Sequence, residues 1–218
     1  MWWTLGLNLA IVSFLFVLWY GLSLRGNRRR AQKLLSNIES AFAGHGHVCG
    51  VEWRSGSEFL VRLRLAGCAF THPSIVVQMF PREMPFRWAF AKIRKRRETL
   101  TFEANLLYPP GFNLEVQNQR WLVKTKVRTP KKHSVVRMKQ LGPFILTSRR
   151  DWERDITNMV HTLSSSRGYD LLAVSFRRSA PHFSATVPLE AITGPQCTPV
   201  RIFDALRELA SGASATRF

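Results

Sequence analysis

The densest group of chemically capable side chains in this 218-residue sequence lies at residues 45–49. The segment His45-Gly46-His47-Val48-Cys49 offers two imidazoles and a thiol, which are side chains that bind zinc. If the segment is a strand, alternation puts His47 and Cys49 on the same face. Two ligands do not complete a tetrahedral site, and no second pair of residues has zinc-motif spacing. We therefore assign no metal and no other cofactor to the sequence.

Candidate nucleophiles lack the local motifs that would activate them. Ser184 follows His182 by two residues, so the two side chains would share a strand face, but no Gly-x-Ser-x-Gly turn surrounds a serine. Glycine-rich loops of the kinds that bind nucleotide phosphates are also absent from the sequence. The chain has only 14 carboxylates, and the closest set, at 151–155, lies among arginines as at a solvated helix start. The sequence therefore favours a non-catalytic protein, with a membrane-tethered enzyme as the alternative.

The three cysteines, Cys49, Cys68 and Cys197, are irregularly spaced and odd in number. They do not form the pattern of a disulfide framework, and they are typical of a protein in a reducing compartment. A free cysteine in such a protein usually behaves as a small buried hydrophobe. We therefore expect reduced, buried thiols.

Positive charge is the strongest signal in the composition. The chain has 32 Lys and Arg residues against 14 Asp and Glu, a formal net charge of +18, and all the basic residues follow residue 24. This balance predicts an anionic partner: first lipid headgroups or an acidic protein, with nucleic acid as a third possibility that no recognition motif supports. The candidate residues for an anionic surface are Arg28, Arg29, Arg30, Arg87, Lys92, Arg94, Lys95, Arg96 and Arg97.

Most of these candidates lie in a basic segment, 81–97, that also carries large apolar residues. On a helix, Phe86, Phe90 and Ile93 would share one face, and basic residues would supply much of the remainder. Such a segment fits a solvated loop or short helix whose aromatics pack on the core. It also fits a helix lying on a membrane surface, or a segment that binds nucleic acid phosphates.

The first 24 residues have the composition of a membrane span. Residues 2–24 contain no charge and no proline, and about 23 helical residues at about 1.5 Å each cross a hydrocarbon core of about 30 Å. Trp2 and Trp3 at one end, and Trp19 and Tyr20 toward the other, suit the two headgroup regions. The segment lacks the charged start and the small-residue cleavage site of a signal peptide. It is therefore predicted to be an uncleaved anchor.

Orientation follows from the charges beside this span. Arg25, three further arginines at 28–30 and Lys33 come directly after it, whereas no basic residue precedes it. Basic flanks remain on the cytoplasmic side of a membrane. The sequence predicts a single-pass protein with its N-terminus outside and its C-terminal domain in the cytoplasm.

The rest of the chain predicts an α+β fold with mainly antiparallel strands and about three helices. The expected organisation is an anchor at 1–24, a basic juxtamembrane helix at 25–46, a globular domain at 47–212 and a disordered tail at 213–218. The globular domain carries the basic insert around 81–97.

Apolar periodicity and turn residues predict the individual elements. Ala31, Leu34, Leu35, Ile38 and Phe42 indicate a helix that could continue from the anchor. Two further helices are expected, one following the Ser148 and Asp151 capping box and one beginning at Thr198 and Pro199, which would bury Leu206 and Leu209. The predicted strands are 47–54, 58–66, 74–80, 98–107, 112–117, 120–127, 134–139, 170–177 and 182–188.

Overall fold

The apolar segment and the basic flank form one helix. In a computed structural model, α1 spans Trp2–Phe42, 41 residues without a break. This continuity confirms the prediction that the apolar helix could continue into the basic flank. One helix is thus long and apolar enough to cross a membrane, and none of its most apolar 18-residue window is buried in the protein.

The structure describes residues 2–42, 44–66, 70–118, 137–141, 144–148, 171–193, 204 and 206–209. After α1, the helices in these ranges are α2 (Pro85–Ile93) and α3 (Glu190–Thr193), and residues 204 and 206–209 are also helical. The strands are β1 (Gly46–Trp53), β2 (Glu58–Leu65), β3 (Phe70–Gln78), β4 (Thr99–Leu106), β5 (Leu114–Asn118), β6 (Arg137–Leu141), β7 (Phe144–Ser148), β8 (Ala173–Phe176) and β9 (Phe183–Pro188).

The nine strands in the described ranges join one antiparallel sheet in the order β1-β2-β3-β4-β9-β8-β5-β7-β6. The first four strands are neighbours in sequence, and β9 then returns to pair with β4. Together with the helices, this sheet confirms the predicted α+β class and its mainly antiparallel strands.

One face of the sheet carries the core. Along β2, Phe59, Val61 and Leu63 are buried on the core side, whereas Arg62 and Arg64 on the opposite side are exposed. Four phenylalanines form the centre of the apolar layer through ring contacts with centroids 5.1–6.1 Å apart. They are Phe70, Phe102, Phe176 and Phe183.

Helical residues cover this apolar layer. The buried side of α1 contributes Ala31, Leu34 and Ile38 to the same core cluster. Leu206 and Leu209 belong to it as well, as predicted. The C-terminal half of α1 is therefore an integral part of the domain and does not act as a flexible tether, because its apolar stripe is packed on the sheet.

Three differences from the predicted elements have local causes. β3 begins at Phe70, four residues earlier than expected, because Pro73 lies where the register with β4 shifts between Thr71 and Ser74, and a bulge tolerates proline. β7 was not predicted, and Ser148 ends it. The short α3 was also not predicted. The predicted strand 120–127, the helix after the Ser148 and Asp151 capping box, the start of the last helix and the predicted tail at 213–218 lie outside the described residues.

Candidate membrane-facing site

A buried asparagine joins α1 to the end of the sheet nearest the apolar segment. Asn27 is 1% exposed, and its Nδ2 donates to the carbonyl oxygen of Gly56 at 3.1 Å and to Glu83 Oε2 at 3.3 Å. Gly56 lies in the turn between β1 and β2, and Glu83 lies just before α2. Because both partners come from distant parts of the chain, this side chain fixes the β1–β2 turn and the start of α2 against the helix.

A second contact lies closer to the N-terminus of α1, inside the apolar segment. Trp19 Nε1 donates to the carbonyl oxygen of Arg82 at 3.0 Å. The Trp19 ring also lies beside the Trp88 ring, with centroids 6.5 Å apart. The beginning of α2 is therefore held directly against the apolar part of α1.

The position of Trp19 gives the level of α2 along the axis of α1. Trp19 precedes Leu24, the last residue of the apolar segment, by five residues, or about 7.5 Å of helix axis. Helices that lie in a membrane interface bury their apolar face to a depth of about 5–10 Å. If α1 spans a bilayer, α2 lies at the depth of such an interfacial helix.

The apolar face of α2 is exposed. Phe86, Phe90 and Ile93 are 86%, 53% and 78% exposed, and they share one side of the helix at the predicted spacing. These exposures disagree with one of the three interpretations of the segment, in which its aromatic residues pack on the core. Only Ala91 is buried among the residues of α2. A face of this kind on a basic helix is typical of an interfacial helix.

Backbone geometry defines both ends of α2. Pro85 occupies the first turn, where its missing N–H costs no helical hydrogen bond. At the other end Lys95 is left-handed, with φ +49°, and its N–H donates to Lys92 O at 3.0 Å. Arg96 N–H donates to Ala91 O at 3.0 Å, which completes a Schellman motif. This turn brings the chain after the helix back toward its last turn, and it therefore positions Arg96.

The predicted basic residues of the insert divide into three groups. Lys92 lies over the Trp88 ring at 5.2 Å, and Arg94 lies over the Phe90 ring at 4.0 Å. Arg87 and Arg96 line one pocket. The remaining two, Lys95 and Arg97, are exposed in the turn and loop that follow α2.

The basic flank of α1 extends the same charged region. Arg28, Arg29 and Arg30 are exposed on α1 around the buried Asn27. Burial lowers the pKa of the Arg82 guanidinium and the Arg30 charge lowers it further, whereas Glu98, 3.8 Å away, opposes the change. Arg82 remains cationic because the unperturbed pKa of arginine is so high. The influence of Arg30 on Arg82 places the two basic segments in one electrostatic environment.

The candidate metal ligands and nucleophiles do not form a site in the described residues. His45, His47 and Cys49 are exposed, and the described ranges contain no group of three His, Cys, Asp or Glu residues that could hold a metal ion. The expectation of a buried thiol is therefore wrong for Cys49, whereas Cys68 and Cys197 lie outside the described ranges. His182 Nδ1 accepts a hydrogen bond from Leu106 N–H at 3.2 Å and so supports the pairing of two segments.

Two important residues of this site were not among the sequence candidates. Asn27 had a usable signal, because it precedes Ala31 by four residues and thus extends the apolar stripe of α1 by one turn. A polar residue on such a stripe indicates a buried hydrogen bond. Glu83 had no comparable signal, since its burial depends on the long-range contact with Asn27.

Comparison of the sequence with models of known protein families and with curated proteins finds no match.

Proposed function

We propose that this chain is a single-pass, membrane-anchored, non-catalytic α+β module that engages the anionic surface of the membrane through α2. The observation that carries the proposal is the contact of Trp19 with Arg82 and Trp88, which holds α2 beside the apolar segment of α1. The exposed apolar face of α2 and its surrounding basic residues fit lipid as the partner. Lipid is favoured over an acidic protein because the anchor itself would bring α2 to the headgroups.

The orientation of the anchor is part of this proposal. Basic residues flank only the C-terminal side of the apolar segment, so α1 would cross the membrane with its N-terminus outside. The domain would then face the cytoplasmic leaflet, which carries the anionic lipids. The α2 helix would lie flat in the headgroup region of that leaflet.

Magnitudes support docking as a favourable process. Full burial of a Phe or Ile side chain contributes about 1.5–3 kcal/mol, and Phe86 and Ile93 are both largely exposed in the protein alone. Each Lys or Arg close to an anionic leaflet adds about 1 kcal/mol. Since α2 is already held by α1, these terms are not offset by the entropic cost of bringing a free segment to the surface.

Thiol protection tests this proposal in the full chain. Ala89 is exposed on α2 between Phe86 and Ile93, and we expect Ala89→Cys, in a background without other cysteines, to react slowly with a membrane-impermeant maleimide in nanodiscs. The reaction should be slower in anionic than in neutral nanodiscs, and high salt should reduce that difference.

A matched control is Ser36→Cys, exposed on α1 about 18 Å beyond Leu24 along the helix axis. It should react rapidly in every lipid mixture. Equal reaction rates at positions 36 and 89 would refute docking of α2. Protection at position 89 that appears only after an acidic protein is added would replace lipid with that class of partner.

A further inference from the structure

A pocket of about 440 Å³ lies between α2 and the β2–β3 part of the sheet. One side is formed by residues of the sheet and the β1–β2 turn, among them Ser57 and Gln78. The other side is formed by α2 and the Schellman turn, through Arg87 and Arg96. Its volume is in the range of pockets that bind small ligands. The pocket lies next to the contacts that join α2 to α1.

The charge of the pocket suits an anion. Within the described ranges neither Arg87 nor Arg96 forms an ion pair. The acidic residue in the lining, Glu58, lies 3.7 Å from Arg54, which offsets its charge. Two unpaired guanidinium groups can each donate two parallel hydrogen bonds to a phosphate.

The remaining lining of the pocket is apolar. Met79 and Ala91 are 7% and 4% exposed. Phe90 also lines the pocket and belongs to the exposed apolar face of α2. The pocket is therefore continuous with the surface that we propose to lie in the membrane. A free phosphate would use only the arginines, whereas a phospholipid would use both the polar and the apolar lining.

We propose that this pocket binds the phosphate-bearing headgroup of an anionic phospholipid, with Arg87 and Arg96 as the phosphate ligands. Phe90 would contact the glycerol and upper acyl region, and Ser57 and Gln78 would donate hydrogen bonds to the headgroup. This inference rests on the proposed function, and it adds one bound lipid to the general attraction between a basic helix and an anionic surface.

Native mass spectrometry of the full chain in detergent tests the inference, with phosphatidic acid and phosphatidylcholine as the probes. We expect the chain to retain one phosphatidic acid in preference to phosphatidylcholine. The Arg87→Gln/Arg96→Gln variant should bind phosphatidic acid at least about tenfold more weakly, because charge-assisted hydrogen bonds are lost. Both arginines are exposed, so this variant should fold normally.

A matched control removes the same charge elsewhere. Arg64 and Arg207 are exposed and do not line the pocket, and Arg64→Gln/Arg207→Gln should bind phosphatidic acid within about twofold of the parent chain. Equal losses in the two double variants would overturn the pocket. Such a result would leave the proposed function standing if position 89 remained protected in anionic nanodiscs.

A charge-neutral variant and a soluble competitor complete the test. Ser57→Phe would fill the pocket without changing its charge, and it should abolish retention of phosphatidic acid while Ala89→Cys stays protected in nanodiscs. Undiminished retention in Ser57→Phe would overturn the inference. Inorganic phosphate should displace the lipid only at high concentration, and displacement at equal concentrations would assign the pocket to a soluble phosphate compound instead.

Discussion

Single residues determine how the apolar helix is joined to the domain. Asn27 is the polar residue among the buried residues of α1, the others being Ala31, Leu34, Ile38, Ala41 and Phe42. Its amide satisfies two acceptors, the Gly56 carbonyl and the Glu83 carboxylate. Because a buried acceptor without a donor is costly, this residue specifies one alignment of the helix on the sheet.

Replacing Asn27 with leucine should lower the free energy of unfolding by about 1–3 kcal/mol, because the Glu83 carboxylate would lose a donor. Urea unfolding of the full chain in detergent, followed by near-ultraviolet circular dichroism, measures the change. Glu83→Gln is the control, since its amide oxygen can still accept from Asn27, and it should be less destabilising. An Asn27→Leu chain as stable as its parent would contradict this role.

Two glycines of β1 provide an internally controlled test of strand pairing. A Cβ at Gly46 would overlap the Arg64 carbonyl oxygen and lie 2.8 Å from Leu65 Cδ2, whereas a Cβ at Gly50 would meet nothing within 4 Å. Gly46→Ala should therefore destabilise the chain by about 1–3 kcal/mol, as overpacking does, and Gly50→Ala should be close to neutral. Thermal unfolding compares them, and similar values for the two variants would contradict the β1–β2 register.

At the scale of residues, the sequence contains a signal for the buried Asn27 that the list of candidate residues does not include. Asn27 could be identified from its spacing to Ala31 and Leu34, as a polar residue within an apolar stripe. The exposure of Cys49 could not be predicted from the sequence. Alternation along β1 shows which residues share a face, but not which face is buried, and that depends on the sheet and the helix that covers it.

At the scale of elements, α2 determines which side chains the domain presents beside the apolar segment of α1. Pro85 begins the helix and the Schellman motif at Lys95 ends it, so α2 is a short, well-defined helix of nine residues. Lys92 and Arg94 lie over Trp88 and Phe90, which keeps their charges close to the aromatic rings.

Replacing Phe86 and Ile93 together with glutamine should undock α2 without unfolding the domain, because both side chains are exposed in the protein alone. The reactivity of Ala89→Cys toward a soluble maleimide in nanodiscs should rise by at least about tenfold, since the apolar transfer energy is lost. The thermal unfolding of the chain in detergent should be unchanged. Continued protection of position 89 would show that the apolar face does not hold α2 in the lipid.

Most strands could be predicted, because β-branched alternation and turn residues separate them clearly. The early start of β3 could not be predicted, because a proline such as Pro73 normally indicates the end of a strand. Only the bulge in the pairing with β4 explains why the strand tolerates it. The periodicity of α2 predicted which residues share a face, but it did not predict whether that face is buried. The direction of the face depends on where Trp19 and Asn27 hold the segment.

At the scale of the whole molecule, α1 joins the apolar segment to the sheet. One unbroken helix carries the apolar segment at its start and part of the domain core at its end. If α1 spans a bilayer, as we propose, the domain should have a fixed tilt and height relative to it, which a flexible linker would not provide. The composition of the sequence predicted a long apolar helix at the N-terminus, but the Trp19 and Trp88 contact joins residues 69 positions apart and has no local signature.

The proposed orientation predicts the effect of moving charge across the span. Replacing Arg28, Arg29 and Arg30 with glutamine and inserting three arginines after Met1 should invert the protein in a large fraction of molecules. The test uses a reporter enzyme that works only outside the cytoplasm, fused after Phe218. This reporter should be inactive in the parent chain and active in the variant. Activity of the reporter in the parent chain would contradict the orientation.

The most direct test of the central claim, that α2 lies in the lipid headgroup region, is photo-crosslinking of the full chain in anionic nanodiscs. A benzophenone amino acid at position 86 should give phospholipid adducts that mass spectrometry detects, because Phe86 is the most exposed residue of the apolar face of α2. The same amino acid at position 36 should give none. Failure of position 86 to crosslink lipid, or equal adduct yields at the two positions, would contradict the claim.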